Sequence, residues 1–486
     1  MPQISRRGLL AGMVGIGTVA GIATLELRPN RHQLGVSAIQ TRESGLTWSG
    51  KTRSFSLKSR MAQIDLGGLL ANTWIYGDTL PGKAIRIGKN DRVRVAFENE
   101  LLVPTSVHWH GLAIRNDMDG VPGITTPEVL PGSKFDFNFI APDAGTYWFH
   151  PHSGTQLDRG LYAPLIVEDP YENADYDHDW VLVLDDWTDG VGKNPDEILF
   201  DLQSDTGGAS SMPGMDMGTT QGMDSGDVNY PMYLINGRPI NDPDVLQARP
   251  GQRVRLRVIN AGADTIFDIA LSEHIMKVTH TDGFPVEHYE TALLRIGMGE
   301  RYDFIVTLKD GVFPFVADAL GKSNLARALI RTGTGISPLD TFRPKELAGD
   351  PLTSNQLRAL DNVRLPRRRP DRIHDLVLSG SMQPYEWMIN GHMYPHTKPL
   401  LAQQGEMVRI RMRNMSMMYH PIHVHGHTFQ IGNAGGMGAR KDTILLPPMG
   451  GVNVDFLATN PGQWMIHCHN AYHAESGMMT RFEYVS

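Results

Sequence analysis

One cysteine, Cys468, stands in 486 residues. A disulfide within the chain and a cysteine-based zinc cluster are both excluded. Runs of one charge are also missing. The net charge is −8, and the single basic cluster, Arg367-Arg368-Arg369, sits between prolines in an apparent linker. That balance argues against a nucleic-acid partner. Sustained helical periodicity is scarce; a short helix is expected at Ser323 to Arg331. The uncharged stretch from Gly8 to Leu25 is too short and too rich in glycine for a membrane span. Apolar residues make up 41% and charged residues 20%, which excludes wholesale disorder.

What is abundant is glycine (51) and proline (31), about one residue in six, which favours many turns. Arg6-Arg7 before the Gly8–Leu25 stretch reads as a twin-arginine export signal over residues 1–30. Cleavage leaves no permanent membrane anchor, and a periplasmic, cell-envelope or extracellular location is expected.

A strand pattern recurs three times: Gly88 to Asn99, Gly251 to Asn260 and Gly405 to Asn414. Each is a turn followed by polar–apolar alternation, the period of a half-buried strand. A second pattern recurs at Pro142 to His150, Leu308 to Val316 and Asn460 to His467, and the middle copy has no histidine. The spacing predicts three consecutive all-β sandwiches, at 55–170, 171–340 and 372–486, with a connector at 341–371. Residues 204–228, rich in Gly, Ser, Asp and Met, read as a loop.

Ten of the 19 histidines fall in four motifs. They are His108-Trp-His110, His150-Pro-His152, His420-Pro-Ile-His423-Val-His425 and His467-Cys468-His469-Asn-Ala-Tyr-His473. On a strand, residues i and i+2 share a side, so each His-x-His pair aims two imidazoles one way. Cys468 then points away from His467 and His469, toward a second site that His473, Met478 and His420 can reach. Two imidazoles, a thiolate and a weak thioether form a blue-copper ligand set. Zinc fits three histidines but does no redox work and gives the flanked cysteine no role.

These motifs resemble those of the three-domain multicopper oxidases, specifically the exported bacterial laccase-like and copper-tolerance type that mycobacteria carry. The likeness extends through Arg115 to Gly120, Leu184 to Gly190, Thr279 to Pro285 and Gly438 to Thr443. It implies three cupredoxin-like Greek-key sandwiches and four copper ions. His420, Cys468, His473 and axial Met478 would hold type 1 copper, and His108 and His423 type 2 copper. His110, His150, His152, His425, His467 and His469 would hold the type 3 pair. The cluster would lie between the first and third domains, with the middle domain as a spacer and part of the substrate face. A donor would give electrons singly through Cys468, and dioxygen would be reduced to two waters. Asp119 stands where relatives carry a proton-donating acid, although a turn residue before Gly120 is the plainer role. Many bacterial relatives have Glu directly after the ligand matching His473; here that residue is Ala474, with Glu475 next.

The resemblance leaves the donor open among Cu(I), Fe(II), phenols and aromatic amines. Thioether sulfur prefers Cu(I). Met212, Met215, Met217 and Met223 in the glycine-rich loop, and Met418 beside Met415 and Met417, therefore make a cuprous oxidase serving copper tolerance the leading expectation. An organic-donor laccase and a non-enzymatic copper-sequestering protein are the rivals. His427 continues the period of His423 and His425, but Gly426 is expected to bend the strand, and the remaining histidines match no ligand pair.

Overall fold

A computed structural model describes residues 43, 45–172, 175–204, 226–432 and 436–485. The export signal and the loop methionines Met212, Met215, Met217 and Met223 lie outside the described residues.

The chain builds three pairs of facing sheets, each a cupredoxin-like sandwich. In the first, Leu69–Tyr76, Thr52–Leu66, Arg92–Asn99 and Lys134–Ile140 form one sheet. Ile85–Gly88, Ala163–Glu168, Gly145–His150 and His108–His110 form the other. The middle and third sandwiches each pair a six-stranded sheet with a five-stranded one.

The thrice-repeated pattern is one structural position. Arg92–Asn99, Arg253–Asn260 and Met407–Asn414 each run parallel to the opening strand of their own sandwich. All three end on a buried asparagine whose amide nitrogen ties two loop carbonyls: Val103 and Val129, Thr265 and Ile296, Met418 and Pro447. Each asparagine oxygen accepts from the N–H two residues on. A turn that buries backbone needs such partners, which explains why asparagine closes every copy.

Two departures from pattern have physical causes. Arg253–Asn260 is buried on both faces rather than alternating. Its outward Arg257 is covered by the first sandwich, donating to Thr146 Oγ1 at 3.0 Å and to Asp303. Ser323 to Arg331 is not a helix: Leu325–Arg331 is a strand between Val312–Ala319 and Val245–Gln247, buried along nearly its whole length. A seven-residue segment that mixes Leu, Ala and Ile with Arg327 and Arg331 is too short for its periodicity to separate the two forms, and sheet pairing decided it.

Candidate metal centre

The strands His420–Val424 and Gln463–Cys468 pair antiparallel, with Ile422 opposite Cys468 and His423 opposite His467. Alternation then sorts the side chains. His420 and Cys468 share one face; His423, His467 and the following rings share the other. After Cys468 the chain turns because the Asn470 side chain accepts from the N–H groups of Tyr472 and His473, capping the short helix Ala471–Glu475. That turn brings His473 back over the sulfur.

On the sulfur face, Cys468 Sγ lies 3.7 Å from both His420 Nδ1 and His473 Nδ1, and those nitrogens are 3.1 Å apart. Met478 is fully buried in the same core, and its carbonyl accepts from the Cys468 N–H at 3.0 Å. Burial pushes the Cys468 thiol far above its ordinary range, so a thiolate forms only with a cation beside it. Both rings are fully buried and capped on their outer nitrogens. Ser416 Oγ is 2.7 Å from His420 Nε2, and Asp227 Oδ2 is 2.9 Å from His473 Nε2. Trp387 packs on His473 at 4.0 Å between centroids.

On the other face eight imidazoles converge, four from the first sandwich and four from the third. Each His-x-His pair divides between groups. His110 Nδ1 is 3.4 Å from His150 Nε2 and 3.2 Å from His469 Nε2. His467 Nε2 is 3.3 Å from His152 Nε2 and 3.1 Å from His425 Nε2. The remaining two, His108 and His423, bury Nε2 atoms with no hydrogen-bond partner.

The outer nitrogens explain this orientation. His108, His150, His423 and His467 turn Nδ1 to the carbonyls of Asp119, Pro151, Asp442 and Cys468 at 2.8–3.0 Å. Each such bond fixes the tautomer, leaving the inward nitrogen a lone pair. Burial, reinforced by neighbouring rings, holds seven of the ten far below the usual imidazole range, His152 at about 3, and lowers His423 as well. Neutral imidazoles with unshared inward nitrogens are metal ligands. Asp119 is fully buried, with Oδ2 3.0 Å from His425 Nδ1 and Oδ1 3.3 Å from His108 Nδ1. It also precedes a turn glycine, Gly120 at φ +93°, as the turn reading expects.

Three multicopper oxidase family models match the chain, over residues 59–172, 178–336 and 367–486. The multicopper oxidase MmcO of Mycobacterium tuberculosis is 45% identical across 99% of this chain and 97% of that protein. The chain is a multicopper oxidase. Copper resistance protein A of Escherichia coli is 27% identical over 98% of each chain. The crystal structure of a multi-copper oxidase from Pseudomonas thermotolerans superposes with a TM-score of 0.70 at 26% identity, covering 90% of this chain and 100% of that one. The protein is thus an oxidoreductase with dioxygen as acceptor, and its histidine groups suit one type 1, one type 2 and two type 3 coppers.

Several partners of this multicopper oxidase's ligand-type residues escape motif reading. Asp227, the cap on His473, sits at the end of the glycine-rich loop. Asp442 approaches His110 and His423 from the Gly438 to Thr443 motif, and Arg301 holds Asp442 from the middle sandwich. The middle sandwich thus supplies a partner to the pocket's surroundings although it carries no histidine motif. For Asp442 the available signal was its place in the Gly438 to Thr443 segment, which had no assigned work; Arg301 and Asp227 lie in no such segment. His427 is a structural residue: Gly426 turns the chain at φ +64°, and His427 Nε2 lies 2.7 Å from the Tyr484 hydroxyl. Met418 is half-buried against the core, and its carbonyl accepts from Asn414. Glu475 lines a small opening with His150, His152, His467 and His469, and burial raises its carboxyl above the usual range. Among the described residues no helix is long and apolar enough to cross a membrane.

Proposed function

We propose that this multicopper oxidase is an exported cuprous oxidase that serves copper tolerance, converting four Cu(I) ions, dioxygen and four protons to four Cu(II) ions and two waters. In this reading His420, Cys468, His473 and Met478 hold type 1 copper, and His108 and His423 hold type 2 copper. His110, His150 and His469 hold one type 3 copper, and His152, His425 and His467 the other. When bound, the coppers supply one-electron acceptance at the sulfur site and four-electron oxygen reduction at the histidine pocket. Cys468 joins the two, since its peptide neighbours His467 and His469 each belong to one three-ring group. Asp119 supports proton supply: Oδ2 faces His425, and Oδ1 is buried with no hydrogen-bond partner to compete for a proton.

The observation that carries the donor assignment is the capping of both sulfur-site imidazoles. A phenol that docked by hydrogen-bonding an imidazole would need a free outer nitrogen, and here Ser416 and Asp227 occupy both. Beside Ser416, Met415 and Met417 are 55% and 52% exposed. Exposed thioethers at that rim suit a small soft cation. Export rests on Arg6-Arg7 and the uncharged stretch that follows.

The test is oxygen uptake by one copper-loaded preparation given Cu(I), Fe(II) or a phenol. Cu(I) is expected to be preferred by kcat/KM and to inhibit phenol oxidation. Preferred phenol turnover, untouched by Cu(I), would mark an organic-donor laccase. Copper uptake without oxygen consumption would mark a sequestering protein.

A further inference from the structure

Between the sandwiches, against the rings of His110 and His423, lies a buried charged core. Asp282, Glu300 and Arg301 from the middle sandwich meet Lys441 and Asp442 from the third, all at 0–1% exposure. Lys441 Nζ reaches Asp282 at 3.1 Å and Glu300 at 3.2 Å. Burying such ions costs several kcal/mol each before pairing. Replacing such pairs with hydrophobic residues of similar volume is often neutral or stabilising, so stability alone is a weak account of them.

Arg301 is the member of this core that reaches the other two sandwiches. Its guanidinium grips Asp442 with both arms, Nη1 to Oδ1 at 2.7 Å and Nη2 to Oδ2 at 2.6 Å. Its Nε donates to the Thr146 carbonyl of the first sandwich at 3.1 Å. One side chain of the middle sandwich therefore bonds to both of the others. Asp442 Oδ1 in turn stands 3.2 Å from His110 Nε2 and 3.4 Å from His423 Nδ1. Thr443 Oγ1 closes the arrangement, 3.1 Å from each of those nitrogens. His110 and His423 stack at 3.9 Å between centroids, so turning either ring displaces the other. The first sandwich is shaped for this fork. At Gly111, φ +87°, a Cβ would come within 2.4 Å of Arg301 Nη2 and 2.6 Å of Asp442 Oδ2. The glycine after His108-Trp-His110 clears the space that the ion pair fills.

We infer that Arg301 is a positioning residue for the histidine pocket: by locking the Asp442 carboxylate it sets His110 and His423, so the sandwich without ligands governs occupancy of the type 2 position. The inference rests on the ligand reading proposed above for His423. The bidentate fork matters more than the charge, because a lysine at 301 supplies a point charge without fixing the carboxylate plane.

The experiment compares copper-loaded wild type, Arg301→Lys and Arg301→Gln during dialysis against a graded chelator. Copper content, the type 2 spin resonance and the blue absorption are followed together. Loss of an outer hydrogen-bond partner weakens metal binding about 10- to 100-fold. Arg301→Lys is expected to lose the type 2 resonance at about 10- to 100-fold lower chelator, with the blue absorption unchanged. Retention of the type 2 signal at wild-type chelator levels in Arg301→Lys overturns the inference. So does loss of both signals together, which marks a merely structural residue. Should Arg301→Gln fail to fold, Thr443→Val removes the hydroxyl beside the same two nitrogens and is expected to shift the type 2 signal while the blue absorption stays unchanged. A His423→Ala variant that keeps its type 2 resonance overturns the ligand reading itself, separately from the role of Arg301.

Discussion

The sulfur site and the eight-ring pocket lie on opposite faces of one strand and are assembled by opposite means. The sulfur site draws His420, Cys468 and His473 from a single sandwich, the turn set by Asn470 brings them together, and Asp227 reaches in from outside it. The pocket draws four rings from each of two sandwiches and orients them through carbonyls, Asp119 and the Arg301–Asp442 fork. A site whose rings and sulfur come from one sandwich depends mainly on local strand pairing, with one docked carboxylate, Asp227, on its rim. A site built between sandwiches depends on their docking, and polar groups far from the motifs determine it.

The largest expected effect separates the two sites outright. Cys468→Ser is expected to abolish the blue absorption and bring oxidase activity to background while the pocket keeps its copper, as read by metal analysis and spin resonance. Loss of copper from both sites would erase the distinction. Next comes Asp119→Asn, which leaves the sulfur site untouched. Oxygen consumption at saturating donor is expected to slow about 100-fold with the blue absorption intact. An unchanged rate would leave Asp119 with only its turn.

Acid is expected to act on the pocket more than on the sulfur site. In the copper-free protein, burial depresses the imidazoles in the fold, His152 to about 3, while the unfolded chain titrates near the ordinary value of 6.5. The unfolded state therefore binds protons that the fold refuses. Their stabilisation is complete above about pH 6.5 and is lost as pH falls, at about 1.4 kcal/mol per pH unit for each such ring. Urea midpoints between pH 7.5 and 5.5 check this, and a flat profile contradicts it. The smallest effect sharpens the comparison from the other side. Asp227→Asn weakens the hold of Asp227 on His473 and is expected to lower sulfur-site copper affinity about 10-fold, without moving the pocket resonances. A parallel loss at the pocket would show that the two faces are coupled through docking.

This same division explains how much was legible in the sequence. Threefold strand repetition and His-x-His spacing are local and periodic, so the sandwiches and the pairing of rings on one side of each strand follow from chain geometry, whereas the meeting of the pairs from two sandwiches rested on the family resemblance. Period 2 also predicted that Cys468 would face away from His467 and His469. Arg301, Asp227 and Asp442 carry no such spacing; each gains its role only when a distant segment docks against it. The Ser323 to Arg331 reading failed for a related reason, since sheet neighbours rather than local pattern settled a short apolar run. The part given to the middle sandwich was too small because a search for ligands passes over the residues that orient them.

The most direct test is quantitative copper analysis of the fully loaded protein, with its visible and spin-resonance spectra. Two metal-binding faces joined at Cys468 predict about four coppers per chain. One is blue, one gives an ordinary cupric resonance, and two are silent as a coupled pair. A colourless protein, or one holding a single copper with no coupled pair, would contradict the account.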